Sequence, residues 1–228
     1  MKKFLLSIAI VAFSMGSVFA QENSAEKLRW KGIMNNSFWS NWEIGIAGGI
    51  NGTAWNELGG VDNQKKVGDL GWQIEGNLTK WFNPIVGARL QIAGGKLNAS
   101  DDFDRQSSWV YPHVDGIVNL SNWFGGYRED RVYYAKLFAG FGVNCVNVDT
   151  ETATGFAAAG GLINTFRVCK QLDINLELKA TLAPGRDMPA AIASSNIGKY
   201  GQIYAATLGV AYRFNKRDWS KAYSQEEV

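Results

Sequence analysis

The last regular stretch of the chain, residues 204–214, alternates between apolar residues and small or polar ones. Tyr204, Leu208 and Phe214 belong to the apolar set, whereas Thr207 and Arg213 belong to the other set. A period of two places these sets on opposite faces of a β-strand. Strands of outer-membrane barrels turn an apolar face to lipid and a polar face to the interior. In an exported chain, the pattern predicts a membrane-spanning strand.

The N-terminus indicates that the chain is exported. Lys2 and Lys3 precede an apolar run over 4–13, and Val18-Phe19-Ala20 follows it. This order is typical of a secretory signal peptide, which we assign to residues 1–20 with cleavage after Ala20. The alternative, a membrane-anchoring first helix, is disfavoured because the apolar run is too short to span a bilayer.

Seven further segments show the same period of two, which favours strands over helices. The predicted fold class is all-β, an eight-stranded antiparallel transmembrane up-and-down β-barrel. Pro112 interrupts the fourth segment, where we expect a bulge or the strand's outer end, and Asn164 on the lipid face of the sixth predicts a bulge or register change. The eight predicted strands are 42–51, 69–80, 85–93, 109–120, 131–144, 154–168, 172–182 and 204–214.

The connections divide into two kinds. Long polar segments join strands one to two, three to four and seven to eight, whereas the joins at Asn83-Pro84 and at 169–171 are tight. Long loops on one side and short turns on the other are typical of an outer-membrane barrel with both ends in the periplasm. The segment 121–130 is long for a periplasmic turn.

The inward positions of these strands contain both acids and bases. An eight-stranded barrel is only wide enough for side chains to fill it. Buried charges persist when they are paired, so we predict a salt-bridged plug of side chains and no broad aqueous pore. The predicted lumen polar network comprises Glu75, Arg89, His113, Asp115, Lys136, Arg167, Glu177, Lys179 and Arg213.

The composition adds support for a barrel in a membrane. The chain has 26 Gly and nine Trp but only four Pro. Glycine relieves crowding inside a narrow barrel, and Trp and Tyr gather where an apolar wall meets lipid headgroups. The predicted interfacial aromatic residues are Trp42, Trp72, Trp81, Trp109, Trp123, Tyr212 and Phe214.

Four sequence blocks, in this order and spacing, resemble the eight-stranded membrane barrel of OmpA-like proteins, especially versions from Bacteroidetes-type bacteria. The resemblance covers about residues 40–219. It implies an abundant protein of the bacterial cell outer membrane with a polar, largely closed interior. The blocks are Leu70-Gly71-Trp72-Gln73, residues 80–91, Leu172-Asp173-Ile174-Asn175-Leu176-Glu177, and residues 212–219.

This resemblance suggests a domain layout. We expect an N-terminal periplasmic segment over 21–40, the barrel over 41–215 and a polar C-terminal tail over 216–228. Many proteins of this kind continue into a periplasmic peptidoglycan-binding domain, and no residues here support peptidoglycan binding. Whether the chain is a truncated form of a longer OmpA-like protein stays open.

Candidate chemistry is sparse. His113 shares a face with Asp115, but no Ser is placed beside them by sequence, so a structural lumen histidine is favoured over catalysis. Cys145 and Cys169 fall at opposite ends of a spanning strand, too far apart for a disulfide. No phosphate loop, paired zinc ligands or nucleophile elbow is present, and we predict no cofactor or metal.

We therefore predict a non-enzymatic outer-membrane protein with a role in envelope integrity and surface interaction. Its expected partners are outer-membrane lipid and other outer-membrane or periplasmic proteins, and a net charge of +2 gives no reason to expect nucleic acid. Four alternatives remain: a narrow low-conductance channel, an accessory subunit of a larger complex, a lipid-modifying enzyme using His113, and a soluble lipocalin-like carrier with reversed polarity.

Overall fold

The computed structural model describes residues 38–54, 70–98, 106–148, 151–184, 200–214 and 219. The predicted signal peptide, most of the 21–40 segment, the long polar loops and most of the C-terminal tail lie outside these residues. The strands are β1 (Trp42–Ala54), β2 (Gly71–Trp81), β3 (Val86–Asn98), β4 (Gln106–Asn119), β5 (Tyr133–Val148), β6 (Glu151–Arg167), β7 (Leu172–Pro184) and β8 (Tyr200–Phe214). A short helix, α1 (Leu120–Gly125), lies between β4 and β5.

Each strand pairs antiparallel with its neighbours in the chain, and the sheet closes into a barrel. Closure comes from β1 and β8, whose pairing runs from Trp42 opposite Phe214 to Ala54 opposite Gln202. A closed sheet leaves no edge whose backbone groups would face lipid unpaired. The predicted fold class is confirmed. No helix in the part of the chain that the structure describes has the length and apolar character needed to cross a bilayer.

The alternation predicted for β7 is present on the barrel wall. Leu176 is 39% exposed on the outside, whereas its neighbour Glu177 is only 6% exposed and faces the interior. The same alternation of exposed apolar and buried polar residues occurs along β2, where Ile74 and Trp72 are exposed and Gln73 is buried. The outer wall is thus apolar and the interior polar, opposite to the polarity of a soluble carrier.

The two predicted irregularities are absent. The pairing of β4 with β5 is interrupted at residues 111 and 112, because Pro112 has no N–H group to donate to the ladder. The register is the same on both sides of the interruption, so no residue is inserted as a bulge would require. Pro112 lies in the middle of β4, so neither predicted placement is right. The pairing of β5 with β6 is continuous past Asn164, whose side-chain oxygen accepts a hydrogen bond of 2.8 Å from the Tyr133 hydroxyl. That bond satisfies the amide oxygen without a bulge.

Tight turns connect the strands at the end of the barrel that the loop lengths predict to be periplasmic; the opposite end is the predicted extracellular end. The Asn83 side chain accepts hydrogen bonds from the backbone N–H groups of Ile85 and Val86 at 2.8 and 2.7 Å, which fixes the turn between β2 and β3. Between β6 and β7, the Val168 N–H donates to the Leu172 carbonyl at 2.9 Å. These turns set the register of the strand pairs and therefore which side chains face inward.

The first prediction concerns the lipid-facing wall. Leu178→Arg, near the middle of β7, is expected to lower the free energy of unfolding in phospholipid vesicles by about 2–4 kcal/mol, because it places a charge at the bilayer midplane. Val168→Arg, at the rim, is the control and is expected to cost about 0–1 kcal/mol. Equilibrium unfolding in guanidinium chloride measures both free energies. Equal losses in the free energy of unfolding at the two positions would contradict the assignment of residue 178 to the lipid-facing surface.

Candidate functional site: a paired charge network in the lumen

Arg89 occupies the centre of the barrel interior. Its guanidinium donates to Asp115 at 2.8 Å on the neighbouring strand, and to Glu177 at 2.6 Å on β7 across the lumen. The guanidinium also lies 4.5 Å from the centre of the Phe138 ring. All of these groups are buried. One arginine therefore joins β3, β4 and β7 through charge-assisted hydrogen bonds, which are stronger than neutral ones.

A second cation extends the network toward the extracellular end. The Lys179 ammonium contacts Glu75 on β2 and lies 3.7 Å from Glu177. Glu75 also accepts hydrogen bonds from Gln73 at 2.5 Å and from Gln91 at 3.0 Å. With several donors, this carboxylate has the partners that burial of a charge requires.

His113 extends the network from Asp115. Its Nδ1 lies 2.8 Å from the Asp115 carboxylate, and its ring stacks on Tyr111 with the centres 4.4 Å apart. Tyr111 in turn stacks on Trp109 at 6.2 Å and donates a hydrogen bond to the carbonyl of Ala157. Three aromatic rings along β4 thus cover the charged centre from the extracellular side.

A separate group of charges lies at the periplasmic base. Arg213 donates to Glu43 at 2.5 Å and lies 3.8 Å from Asp173. Lys136 and Arg213 both lie near the ring of Trp81, at 5.1 and 5.8 Å. Sequence reasoning left Glu43 out of the network, although its position between Trp42 and Ile44 would have placed it inward by alternation.

Arg167 lies at the edge of this basal group. Its guanidinium donates to the Tyr134 hydroxyl and to the backbone carbonyl of Glu129. It therefore connects the barrel to the segment after α1, which had no assigned role in the sequence. In that segment, a hydrogen bond from Arg128 holds the pKa of the Asp130 carboxyl below its usual value.

The interior charges balance among the described residues. Five carboxylates and five cationic side chains give the interior no net charge, and a net charge in a low-dielectric interior would be destabilising. A glycine makes room for the central pair, because a Cβ on Gly140 would approach the Asp115 carboxylate to 2.2 Å and the Val114 carbonyl to 2.1 Å. The ten charged residues are Glu43, Glu75, Asp115, Asp173, Glu177, Arg89, Lys136, Arg167, Lys179 and Arg213.

Two of the predicted interfacial aromatic residues are wrong. Trp81 is 4% exposed and Trp109 is 1% exposed, and both face the interior. The reason is the alternation of the strands, in which every second residue faces the same side. Trp81 shares the inward face of β2 with Thr79, and Trp109 shares the inward face of β4 with Tyr111. The exposed members of the prediction include Trp72, Trp123 and Tyr212, while Trp42 and Phe214 are half-buried.

These two tryptophans belong to apolar clusters that cover the charges at both ends. Trp81 packs at the base with Ile117, Phe138, Ile163 and Trp219, and Tyr127 packs against this cluster. Trp219 follows β8, and its backbone N–H donates to the Tyr127 hydroxyl at 3.2 Å. The extracellular cluster consists of Ala93, Leu97, Trp109, Tyr111, Val146, Ala157, Ala159, Ala183 and Ile203. The interior is thus less uniformly polar than predicted.

Little open space remains between these layers. Two cavities lined by the charged residues each have a volume of about 20 Å³, which is room for about one water molecule. Within the described ranges, no group of His, Cys, Asp and Glu side chains is arranged to hold a metal ion. Within the described residues, Cys145 and Cys169 form no disulfide. The geometry is that of packed ion pairs.

A closed eight-stranded barrel with an apolar wall and a charged, filled interior defines an outer-membrane β-barrel protein. The chain is 27% identical to outer membrane protein 40 of Porphyromonas gingivalis (strain ATCC BAA-308 / W83) over 96% of its length, and 25% identical to outer membrane protein 41 of that strain over 78%. It spans 59% and 48% of the lengths of these two relatives. No protein-family model matches the chain.

Solved structures agree on the fold. Neisserial surface protein A aligns with a TM-score of 0.56 over 77% of this chain and 98% of that protein, at 10% sequence identity. At this identity the likeness shows the fold alone. The predicted resemblance to eight-stranded outer-membrane barrels and the predicted location in the bacterial outer membrane are confirmed.

The second prediction tests the central pair. Glu177→Gln is expected to lower the free energy of unfolding by about 3 kcal/mol or more, because Arg89 and Lys179 lose a buried partner charge. Asp130→Asn, which breaks the exposed pair with Arg128, is the matched control and is expected to cost at most about 1 kcal/mol. The free energy of unfolding of each variant is measured in phospholipid vesicles. A decrease for Glu177→Gln no larger than that for Asp130→Asn would contradict a stabilising role of the network.

Proposed function

We propose that this protein is a structural component of the outer membrane, a filled barrel that contributes to envelope integrity and presents its extracellular loops to surface partners. The observation that carries the proposal is the ion-pair network that crosses the lumen from Arg89 to Glu177 and from Lys179 to Glu75. It occupies the space that a transport pathway would need.

The packing of the interior supports a closed barrel over a channel. An ion pathway needs a continuous line of water or of coordinating groups. Here the Trp109 and Tyr111 rings cover the charges from one side, and the Trp81 and Trp219 cluster covers them from the other. The two cavities that the charged residues line are each about 20 Å³, and Trp81 and Lys136 line both of them.

The surroundings of His113 support a structural role. A general base must reach a proton of the substrate. The His113 ring is buried, its Nδ1 is engaged by Asp115, and the same carboxylate group also accepts from Arg89. It faces the interior beneath Tyr111, away from the lipid on which a lipid-modifying enzyme would act.

The partners belong to the proposal as well. The wall binds outer-membrane lipid, and we propose that the loops between β1 and β2, β3 and β4, and β7 and β8 contact other outer-membrane or surface molecules. These loops lie outside the described residues, and their location follows from the strands that they join.

The third prediction concerns conductance. Purified folded protein in planar lipid bilayers is expected to show no discrete conductance steps, because the interior is filled. The double variant Arg89→Ala/Glu177→Ala, which empties the centre, is the comparison and is expected to conduct more than the natural chain if it folds. Folding of each sample is checked by heat-dependent gel mobility. Reproducible steps from the natural chain would contradict the closed barrel.

The fourth prediction addresses the envelope role. Deleting the gene is expected to increase sensitivity to detergents and the release of outer-membrane vesicles, since a structural protein of the outer membrane is lost. The natural gene on a plasmid should restore both, and an empty plasmid should not. A deletion strain with an intact barrier that fails to take up a defined solute would favour transport instead.

A further inference from the structure

Helix α1 has an unusual distribution of side chains. Leu120, Trp123 and Phe124, spaced i, i+3 and i+4, share one helix face. Trp123 is 59% exposed and Phe124 is 75% exposed, whereas the polar Ser121 and Asn122 are buried against the barrel base. A helix on the surface of a protein in water has the opposite arrangement. Trp123 and Phe124 therefore point away from the barrel, while Leu120 is half-buried at the start of the helix.

The helix is held firmly in this orientation. The Asn119 side chain caps its N-terminus by accepting from the Asn122 N–H at 3.1 Å. The Asn122 amide donates to the Pro84 carbonyl in the turn between β2 and β3 at 2.7 Å. Ser121 Oγ accepts from the Ala135 N–H at 2.8 Å. These bonds connect α1 to β4, β5 and the neighbouring turn.

Arg131 fixes the other end of α1. Its guanidinium donates to the carbonyls of Ser121 and Gly126 at 2.8 and 3.0 Å, and to that of Gly125 at 3.2 Å. Carbonyls at a helix C-terminus lack partners within the helix, and a cation satisfies them. The stacked rings of Trp123 and Phe124, 5.9 Å apart, are thus presented on a rigid support.

Other exposed apolar residues lie at the same end of the barrel as α1. Phe38 and Trp39 are exposed before β1, Phe82 in the turn between β2 and β3, and Val168 in the turn between β6 and β7. Each described connection at this end therefore exposes an apolar residue. The outward faces of the strands that these connections join are apolar as well, so exposed apolar residues occur from the barrel wall to α1.

We propose that α1 is an interfacial anchor whose Leu120, Trp123 and Phe124 face inserts into the headgroup–acyl boundary of the periplasmic leaflet. Its partner is phospholipid. Helices with an apolar face bind this boundary in its plane, and Trp prefers that depth. The anchor fixes how deeply the barrel lies in the membrane, and it explains why the connection between β4 and β5 is longer than a turn requires.

Site-directed spin labelling tests the anchor. In a Cys145→Ser/Cys169→Ser background, a nitroxide is attached at Phe124→Cys and the protein is reconstituted in phosphatidylethanolamine–phosphatidylglycerol vesicles. Labels at Leu137→Cys on the wall and at Asp130→Cys in the exposed segment are the lipid and water controls. Collision rates with oxygen and with a neutral nickel complex report depth, and Trp123→Cys serves as a second reporter if Phe124→Cys does not fold.

The label at 124 is expected to collide with nickel several-fold less often than the label at 130, and to approach the oxygen accessibility of the label at 137. A nickel collision rate equal to that at 130 would overturn the anchor, since the face would then lie in water. Spin–spin broadening at high lipid dilution would also overturn it, because the face would then contact a second copy of the chain.

Discussion

Hydrocarbon offers no hydrogen-bond partners, and this constraint governs the whole structure. Every backbone N–H and C=O group that crosses the bilayer needs a partner within the protein, which the closed ladder from β1 to β8 supplies. Charged side chains are likewise excluded from the lipid-facing surface of the barrel. They therefore lie inside the barrel, on alternate positions of the same strands whose other face is apolar.

Placing ten charges inside a narrow barrel creates a second requirement, which the ion pairs meet. A buried pair is weak evidence for stability, because its desolvation offsets much of the attraction, but an unpaired buried charge is strongly destabilising. Arg89 bonds within its own half of the barrel through Asp115 and across the lumen through Glu177. Such crossed pairs disfavour any strand register that would separate the partners. Apolar clusters above and below exclude the water that would otherwise compete.

The sequence predicted those features that depend on local periodicity. The strict alternation of β7 was sufficient to assign Leu176 outward and Glu177 inward, and all eight strands follow from this rule. Trp81 and Trp109 differ from the prediction because the general preference of tryptophan for the interface does not override their inward positions in the alternation of β2 and β4. Glu43 follows from the same alternation, because it lies on the inward face of β1.

Pairings across the lumen could not be predicted from periodicity. Arg89 and Glu177 are 88 residues apart, and only the closure and stagger of the barrel bring them together. The same is true of Trp219, which reaches the base cluster after β8 has ended. Only the length of the connection between β4 and β5 indicated an extra element where α1 lies. The exposure of its apolar residues could not be predicted, because it depends on the packing of Ser121 and Asn122 against the barrel.

Methyl NMR in lipid nanodiscs tests the inverted polarity most directly. With protonated Ile and Leu methyl groups, nuclear Overhauser effects to acyl-chain protons identify the side chains that touch lipid. Such contacts are expected for Ile174, Leu176 and Leu178, and none for Ile117 and Ile163. Acyl-chain contacts at Ile117 and Ile163, with none at Leu176 and Leu178, would contradict the inverted polarity.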